Sequence, residues 1–439
     1  MSTPDPNAGM TAPAPAPAPA AASRRTPAAA RRRAAAPDSS RADVVVVGGG
    51  PAGAAAALGL ARLGYQVTVV TLERSATVEG LSARTVARLE AAGLRAAVAT
   101  ASAPAPRMVS WGDDRAQRGE ERIVARDQLD QALRTDVQAA GVRWINAAAG
   151  AVRGDESAWL VETDEGALHC RAVLDARGRR ARRHERRGPH LVSWGACVEC
   201  DSPPANPHPP STGVVALDDG WCWVARPEAG RAWIQFVGDA TQPKSAQDLG
   251  ARFQRALQAL SLSQVLPDPN VPSPMRFRIG PARAAVARYS APTQGTGYLR
   301  IGDAAVAMDP LSGNGIYEAL GSAQVAVAAI NTWLTGGPWP EIARFLDERA
   351  AELWRRCVTA AGSFYRQQAE RTSRPFWQQT ASAYEHLALE AETTEKGPGR
   401  FEMRPVLNRQ RIEVRRVWVS PAWPRGMWMP APAVLQQEV

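Results

Sequence analysis

Lysine is almost absent from this sequence of 439 residues, in which only Lys244 and Lys396 occur. Arginine therefore supplies nearly all of the positive charge behind the net charge of +9. Such a charge could suit a nucleic acid, because clustered cations release counterions when they pair with phosphates. The arginines, however, concentrate in separate runs at 24–33, 177–187 and 411–416, without the interleaved aromatic residues of a recognition surface. We expect no nucleic-acid partner.

Long hydrophobic runs and cysteines are also scarce. No stretch approaches the ~20 consecutive apolar residues that a membrane-spanning helix requires, so we expect no membrane association. The five cysteines are sparse and odd in number, which favours a reducing compartment and a cytoplasmic location. Cys197 and Cys200 have the spacing of a metal or redox pair. Their strand-like surroundings and the lack of a second pair favour ordinary thiols, and we expect no metal site.

The first 42 residues are mostly alanine, proline, serine and arginine. This composition lacks the apolar side chains that would offset the entropy lost on ordering the chain, so residues 1–42 are expected to form a disordered tail. The remaining length exceeds that of one ordinary domain. It predicts two or three units with room to enclose a cofactor.

A strand, a glycine-rich turn and a helix follow the tail. Asp43 and the four valines at 44–47 form a strand-like run that leads directly into Gly48-x-Gly50-x-x-Gly53, and an alanine-rich helix continues until Gly64. A second β-rich run at 66–70 completes a βαβ unit. The glycines allow a tight turn, close approach to a pyrophosphate and close contact between helix and strand. Since the helix start offers free N–H groups to phosphates, the segment predicts dinucleotide binding.

A second glycine-rich segment lies at 302–315, where a predicted strand ends and a long helix begins. Asp303 follows the strand and can accept a hydrogen bond from a hydroxyl group. Gly313 and Gly315 open the helix, whose amides can face an electron-rich oxygen. A flavin requires both features. An acidic loop with an ordinary helix cap would not account for their pairing with the N-terminal βαβ unit.

The rest of the chain predicts two further regions. Strand-like patterns with turn clusters from 191 to 237 predict an antiparallel sheet, a helix is expected near 246–260, and a mostly helical segment closes the chain. The predicted fold is α/β. Its predicted parts are a doubly wound FAD-binding domain (43–187 and 296–338), an inserted antiparallel substrate domain (188–295) and a helical C-terminal region (339–439).

Together the two motifs resemble those of FAD monooxygenases related to para-hydroxybenzoate hydroxylase and of flavin-dependent tryptophan halogenases, over roughly residues 43–384. The resemblance implies that FAD is the cofactor, that Asp303 binds its ribityl chain and that Pro310 lies beside the flavin ring. It places Arg84 at the phosphates, Arg126 elsewhere beside the cofactor, and the amides of 313–315 at the flavin N1–O2 edge. For Arg84 and Arg126 a solvated surface role remains open. The residues implied to bind FAD are Gly48, Gly50, Ala52, Gly53, Thr71, Glu73, Arg84, Arg126, Asp303, Pro310, Gly313, Asn314 and Gly315.

One position departs from the family pattern. An acidic residue usually ends the second strand and binds the adenosine ribose, but Thr71 stands at that place and Glu73 lies two residues later. Either the Thr71 hydroxyl replaces the carboxylate or Glu73 reaches back. The sequence leaves both possibilities open.

The substrate side offers Trp221 and Trp223, which resemble the Trp-x-Trp element of tryptophan halogenases and, with Pro310, are candidate pocket residues. Two core tryptophans on one face of a strand would have the same spacing. Halogenases of this family use a lysine in the N-terminal third, and no lysine precedes Lys244. We therefore expect oxygen insertion rather than halogenation, because oxygen transfer from O2 at a reduced flavin requires no protein nucleophile. No catalytic acid or base is assigned.

Among halogenase-like enzymes without that lysine, the chain resembles the flavoprotein monooxygenases that mature tryptophylquinone cofactors, including the enzyme type that serves quinohemoprotein amine dehydrogenase. The resemblance rests on residues 309–316 and on the tryptophan-rich C-terminal region. It implies hydroxylation of a tryptophan within a polypeptide, with an amine dehydrogenase subunit as partner, O2 as cosubstrate, and NAD(P)H or reduced flavin as electron donor. The alternatives are a small-molecule aromatic hydroxylase, a halogenase, an isoprenoid-lipid reductase, which has a stretch similar to 310–317, and a non-catalytic FAD-binding scaffold.

Overall fold

The computed structural model describes residues 40–73, 77–112, 114–181, 186–200, 209–228, 231–239, 251, 275–290, 294–391, 399–420 and 423–427. The predicted tail, apart from residues 40–42, lies outside the described residues. So do nearly all of the helix expected near 246–260 and both lysines.

The helices and strands are numbered here in chain order. The α-helices are α1 (Pro51–Arg62), α2 (Ala83–Ala92), α3 (Arg95–Ala99), α4 (Arg126–Ala139), α5 (Gly315–Leu334), α6 (Trp339–Ala369) and α7 (Pro375–Glu390), and short 3-10 helices span Gly178–Arg180, Gly302–Ala304 and Pro310–Ser312. The strands are β1 (Val44–Val47), β2 (Val67–Thr71), β3 (Val78–Ser82), β4 (Ala105–Trp111), β5 (Asp114–Ala125), β6 (Arg143–Asn146), β7 (Ala149–Gly154), β8 (Trp159–Thr163), β9 (Gly166–Cys170), β10 (Ala172–Asp175), β11 (Arg186–Arg187), β12 (Leu191–Cys200), β13 (Ser211–Leu217), β14 (Gly220–Glu228), β15 (Arg231–Asp239), β16 (Met275–Ile279), β17 (Arg283–Ala284), β18 (Arg288–Tyr289), β19 (Gln294–Gly295), β20 (Tyr298–Arg300), β21 (Val306–Ala307), β22 (Arg400–Asn408), β23 (Arg411–Ser420) and β24 (Trp423–Met427).

The nucleotide-binding part is built on a six-stranded sheet with the order β19-β20-β10-β1-β2-β6. Strand β1 pairs in parallel with β2 and β10, and β10 pairs in parallel with β20. All four residues of β1 are buried, as expected for a central strand covered on both faces. Helices α1 and α5 contribute to the core cluster on one face, and strands β7 to β9 form a small antiparallel sheet whose residues pack on the other. The predicted doubly wound fold is confirmed.

A second, larger sheet forms a wall that we call the roof sheet. Its main strand order is β16-β12-β15-β14-β13-β4-β5-β3, and β17 pairs with β12. Strands β12 to β15 are antiparallel to their neighbours within that set, as predicted. Strands β3 to β5, which precede β6 in the chain, join them through a parallel pairing of β4 with β13. The roof sheet therefore extends beyond the segment 188–295.

The C-terminal region begins with helices, as predicted, and ends differently. Helices α6 and α7 bury a cluster of aromatic side chains that includes Trp354, Tyr365, Trp377 and Tyr384. The chain beyond them forms an antiparallel sheet of β22, β23 and β24. The strands β22 and β23 are joined by a two-residue turn in which Arg409 has a φ of 52°. Without Asn or Gly, that turn lacks the usual sequence signal of a hairpin.

No helix among the described residues is long and apolar enough to cross a membrane.

The close contact between α1 and the preceding turn gives a test of the fold. A Cβ atom at Gly53 would lie 1.8 Å from the carbonyl oxygen of Gly48, and that oxygen belongs to the backbone and cannot rotate away. We expect Gly53→Ala to lower the free energy of unfolding by about 1–3 kcal/mol through overpacking, despite the better helix propensity of alanine. Urea unfolding measures the change.

The matched control is Gly295→Ala, because a Cβ at Gly295 meets no atom within 4 Å. Equal stability of Gly53→Ala and Gly295→Ala would contradict the contact.

Candidate cofactor and active site

A cavity of about 620 Å³ lies where the carboxyl ends of the parallel strands meet the roof sheet. Open α/β sheets bind ligands at this edge. Nine of the residues predicted from the sequence line it: Gly50, Ala52, Arg126, Trp221, Trp223, Asp303, Pro310, Gly313 and Gly315. Six others lie outside its lining: Gly48, Gly53, Thr71, Glu73, Arg84 and Asn314.

The turn after β1 brings backbone amides to the cavity. Gly48 has a φ of 111°, and a Cβ there would lie 2.4 Å from the carbonyl oxygen of Ala176. Gly50 is the N-cap residue of α1 and provides no side-chain cap, and Pro51 occupies the first turn. The next N–H groups at the helix start are therefore available to an anion.

The loop between β20 and α5 brings a second uncapped helix start to the same cavity. Asn314 is the N-cap residue of α5, but its side chain makes no capping hydrogen bond. Instead, the Asn314 side-chain oxygen accepts a hydrogen bond from Arg84. The Arg84 guanidinium also lies 4.7 Å from the ring centroid of Tyr317. Arg84 thus joins α2 to the start of α5.

Asp303 lies at the cavity beside the cation of Arg179. Its carboxylate is 3.2 Å from Nε of Arg179. Arg179 also donates hydrogen bonds to the carbonyl oxygens of Val286, at 2.5 Å, and Met308, at 2.6 Å. One guanidinium therefore fixes Asp303 to the loop of Met308 and to the segment before β18. The signal in the sequence was the Asp-Ala-Arg-Gly-Arg element at 175–179.

Asp175, at the end of β10, stabilises the edge of the parallel sheet at which the cavity lies. Its buried carboxylate accepts hydrogen bonds from Arg177, at 2.7 and 2.9 Å, and from the Tyr298 hydroxyl, at 2.9 Å. Burial raises the pKa of the Asp175 carboxyl, but the hydrogen bonds and charge of Arg177 and the bond from Tyr298 outweigh it. The resulting pKa lies below the ordinary value.

This shift predicts a pH-dependent contribution to stability. Because its pKa is lower in the folded state, Asp175 contributes stability that is present above its unfolded pKa of about 3.9 and is lost as pH falls through the folded value. We expect Asp175→Asn to be less stable than the wild type at neutral pH. The difference should shrink as the pH is taken down into the region below about 4, measured by urea unfolding across pH.

The control is Asp218→Asn, which removes an exposed carboxylate paired with exposed Arg374. A stability difference for Asp175→Asn that does not change with pH would show that charge is not the cause.

Arg126 lines the cavity but is largely engaged by carboxylates. Its guanidinium is 3.0 Å from Glu79 and 3.0 Å from Asp130, and its side chain is 11% exposed. Burial lowers the pKa of Arg126, but the two carboxylates together raise it by more, so the net pKa is above the ordinary value. The side chain is therefore a fixed cation at the cavity wall.

Thr71 and Glu73, the two candidates for the adenosine ribose, lie differently relative to the glycine-rich turn. Thr71 is the last residue of β2, and its methyl group lies 2.9 Å from the position of a Cβ on Gly49. Its hydroxyl donates to the carbonyl oxygen of Leu72, at 3.3 Å. Glu73 is exposed beyond the end of the strand. Thr71 is thus adjacent to the glycine-rich turn, whereas Glu73 would have to turn back toward it.

The roof sheet presents aromatic and charged groups to the cavity. Trp221 is buried and Trp223 half-buried on β14. The indole N–H of Trp223 donates to the carboxylate of Glu121, at 3.3 Å, and Nε of Arg107 lies 3.2 Å from the same carboxylate. Arg107 and Glu121 carry no local signal in the sequence, because they lie on strands that join the roof sheet from a distant part of the chain.

A buried carboxylate also lines the cavity, beside Pro310. Asp309 is 2% exposed and accepts hydrogen bonds from the hydroxyl groups of Tyr384, at 2.6 Å, and Tyr365, at 3.2 Å. The Leu311 amide donates to it at 2.8 Å. Burial raises the pKa of the Asp309 carboxyl above its ordinary value, and the three hydrogen bonds oppose the rise. Burial beside Asp309 also raises the pKa of both tyrosines, so they remain protonated donors.

The parallel sheet, the two uncapped helix starts and the acidic side chain between them define the class: a dinucleotide-binding oxidoreductase of the flavoprotein type. Comparisons with known proteins support this class. The family described as "Lycopene cyclase protein" matches residues 43–215. The comparison with curated proteins gave no match.

Three solved structures share the fold. The peptidyl tryptophan dihydroxylase QhpG, described as essential for tryptophylquinone cofactor biogenesis, is 33% identical, with 89% of this chain and 90% of QhpG covered and a TM-score of 0.74. The myxobacterial chondrochloren halogenase CndH is 20% identical, with 81% and 91% covered and a TM-score of 0.63. The p-nitrophenol 4-monooxygenase PnpA from Pseudomonas putida DLL-E4 is 18% identical, with 80% and 94% covered and a TM-score of 0.57. This chain belongs to the flavin-dependent monooxygenase family that includes QhpG.

Proposed function

We propose that this protein is an FAD-dependent monooxygenase that hydroxylates a tryptophan side chain within a polypeptide during the biogenesis of a tryptophylquinone cofactor. The observation that carries the proposal is the 33% identity to QhpG over nearly the whole of both chains. The cavity between the parallel sheet and the roof sheet is the site of the reaction.

The residues around the cavity fit FAD. The free amides at the start of α1 suit the pyrophosphate, and Asp303 suits the hydroxyl groups of the ribityl chain. The loop at 313–315 suits the electron-rich edge of the flavin ring, because a Cβ at Gly313 or Gly315 meets no protein atom within 4 Å. The Gly313 amide donates to the Pro310 carbonyl oxygen, at 3.1 Å, and the Asn314 amide donates to the Ser312 hydroxyl, at 3.2 Å. The amide of Gly315, at the helix start, is therefore the donor best placed for the ring. Arg84 and Arg126 hold in place the helices and strands around the cavity. Thr71 or Glu73 binds the adenosine ribose. Bound FAD supplies the redox chemistry, in which its reduced ring activates O2 for transfer to an electron-rich carbon.

The remaining residues shape the space beside the ring. Trp221, Trp223 and Val214 form an apolar wall on the roof sheet, and Pro310 lines the same cavity. Such a wall excludes water and gives an aromatic substrate a surface for stacking. Gln235, which also lines the cavity and donates to the Ser193 hydroxyl at 3.1 Å, adds a polar group to that wall. Because the Gln235 amide is uncharged, it would orient a substrate through a hydrogen bond and not through an ion pair.

Loss of Asp303 is expected to weaken FAD retention. Asp303→Ala removes a charge-assisted acceptor worth about 1.5–3 kcal/mol, which corresponds to about 10- to 150-fold weaker binding. Flavin fluorescence titration of the apoprotein measures the dissociation constant. Asp218→Ala, which removes an exposed carboxylate, is the control and should bind FAD like the wild type. A wild-type protein that is colourless and takes up no added FAD would refute the cofactor assignment.

Halogenation is disfavoured by the sequence, which has no lysine before Lys244. Oxygen transfer needs no such residue.

The partner and the conditions of the reaction belong to the same proposal. The polypeptide is an amine dehydrogenase subunit, O2 is the cosubstrate, and NAD(P)H or reduced flavin is the electron donor. We place the enzyme in the cytoplasm. Cys170, Cys222 and Cys357 form no disulfide among the described residues, which supports a reducing compartment.

Tryptophan within the partner polypeptide should gain oxygen, whereas free tryptophan should react poorly. Contacts remote from the reacting carbon orient it, and free tryptophan lacks them. The measurement is mass spectrometry of the partner after incubation with enzyme, a flavin reductant and labelled O2. One or two labelled oxygens should appear on a tryptophan-containing fragment.

A parallel incubation with chloride and bromide is the control and should yield no halogenated tryptophan. An unmodified partner together with efficient hydroxylation of a small phenol or indole would identify a small-molecule hydroxylase instead.

A further inference from the structure

A chain of buried hydrogen bonds connects three parts of the molecule around the cavity. It begins at Trp221 on the roof sheet, whose indole N–H donates to the Tyr365 hydroxyl of α6, at 3.1 Å. Tyr365 donates in turn to Asp309, which also accepts from Tyr384 of α7. The chain therefore joins the roof sheet, the C-terminal helices and the loop between β20 and α5.

The direction of the hydrogen bonds is fixed by chemistry. An indole N–H is a donor only, so the Tyr365 oxygen accepts from Trp221, and the Tyr365 hydroxyl donates to the Asp309 carboxylate. The hydroxyl groups of Tyr365 and Tyr384 thus converge on one carboxylate. Asp309 is the acceptor at the end of this chain of bonds, and it links both helices and, through Tyr365, the roof sheet.

Asp309 also sets the backbone of the loop that approaches the cavity. Its carboxylate caps the 3-10 helix Pro310–Ser312 through the Leu311 amide. The next residue, Gly313, has a φ of 60° and leads into the start of α5. The position of the amides at 313–315 therefore follows from where Asp309 is held.

We propose that Asp309, held by Tyr365 and Tyr384, is a positioning residue that fixes the spacing between the loop amides at the flavin and the Trp221 wall where the substrate lies. The inference rests on the proposed function, because it assumes FAD at the loop and an aromatic substrate at the wall. The C-terminal helices act on the reaction through these two tyrosines rather than by contact with the reacting atoms.

Aromatic packing alone would leave this spacing less well defined. Tyr365 and Tyr384 stack with centroids 5.4 Å apart, and Tyr365 also contacts Trp377 and Phe376. Phenylalanine at either tyrosine would keep those ring contacts and lose only the hydroxyl group. Substitution to phenylalanine therefore separates the hydrogen bonds from the packing.

The experiment compares Tyr384→Phe, Tyr365→Phe and the wild type as FAD-loaded proteins. Tyr65→Phe is the matched control, because it removes a tyrosine hydroxyl that bonds to Asn331, at 2.9 Å, outside the cavity lining. Three quantities are measured: the visible absorbance spectrum of bound FAD, its midpoint potential, and the ratio of hydroxylated product to O2 consumed. Thermal unfolding checks that each variant is folded.

We expect both network variants to retain FAD, to show an altered flavin spectrum and to have a lower midpoint potential, because displaced amides stabilise negative charge on the ring less well. The ratio of product to O2 should fall on the order of 10-fold as the substrate and the ring lose their alignment. Tyr65→Phe should match the wild type in all three. Tyr384→Phe decides the result if Tyr365→Phe, which leaves the Trp221 N–H without its acceptor, does not fold.

An unchanged spectrum and potential in Tyr384→Phe, even with a lower melting temperature, would overturn the proposal and leave Asp309 a structural residue. The spectrum and the potential require no substrate. If the wild type modifies no polypeptide, the proposed function fails, while these two measurements still decide the role of Asp309.

Discussion

The contact between backbone atoms at the start of α1 is the constraint on which the site depends. Gly48 and Gly53 let the turn after β1 approach both the helix and the residue that follows β10 to distances that no side chain would permit. This approach brings the free amides of α1 to the same edge as the ends of β10 and β20. The Arg179 network and the second helix start then complete the cavity.

Local patterns were sufficient to predict the nucleotide-binding part. The fully buried β1, the glycine spacing and the start of α5 at Gly315 each follow from a short stretch of sequence, and the structure has them as predicted. The hairpin of β22 and β23 was missed, because its turn at Arg409 carries no glycine or asparagine. Its arginine-rich strands also mask the alternation of apolar residues.

The polar groups of the site were harder to predict, for a different reason. Asp309 and Tyr384 are 75 positions apart, and Trp223 and Glu121 are 102 apart, so no local pattern pairs them. Tyrosine and tryptophan at helical or strand spacing also indicate an ordinary core, and these residues do lie in one. Only the three-dimensional arrangement shows that their polar atoms converge on two carboxylates at the cavity.

The parallel pairing of β4 with β13 bears on how the enzyme is made. Residues 108–110 pair on one side with β5, which follows directly in the chain, but the other edge of β4 has no partner until residues 212–215 are available. The two parts of the roof sheet are thus joined by a contact that is distant in sequence. Such topologies fold slowly, and the early strands of a nascent chain expose unpaired edges while they wait. The cavity can close around its cofactor only after most of the chain has been synthesised. Cofactor loading is therefore expected to be a late step of maturation, after the ribosome has released the roof strands.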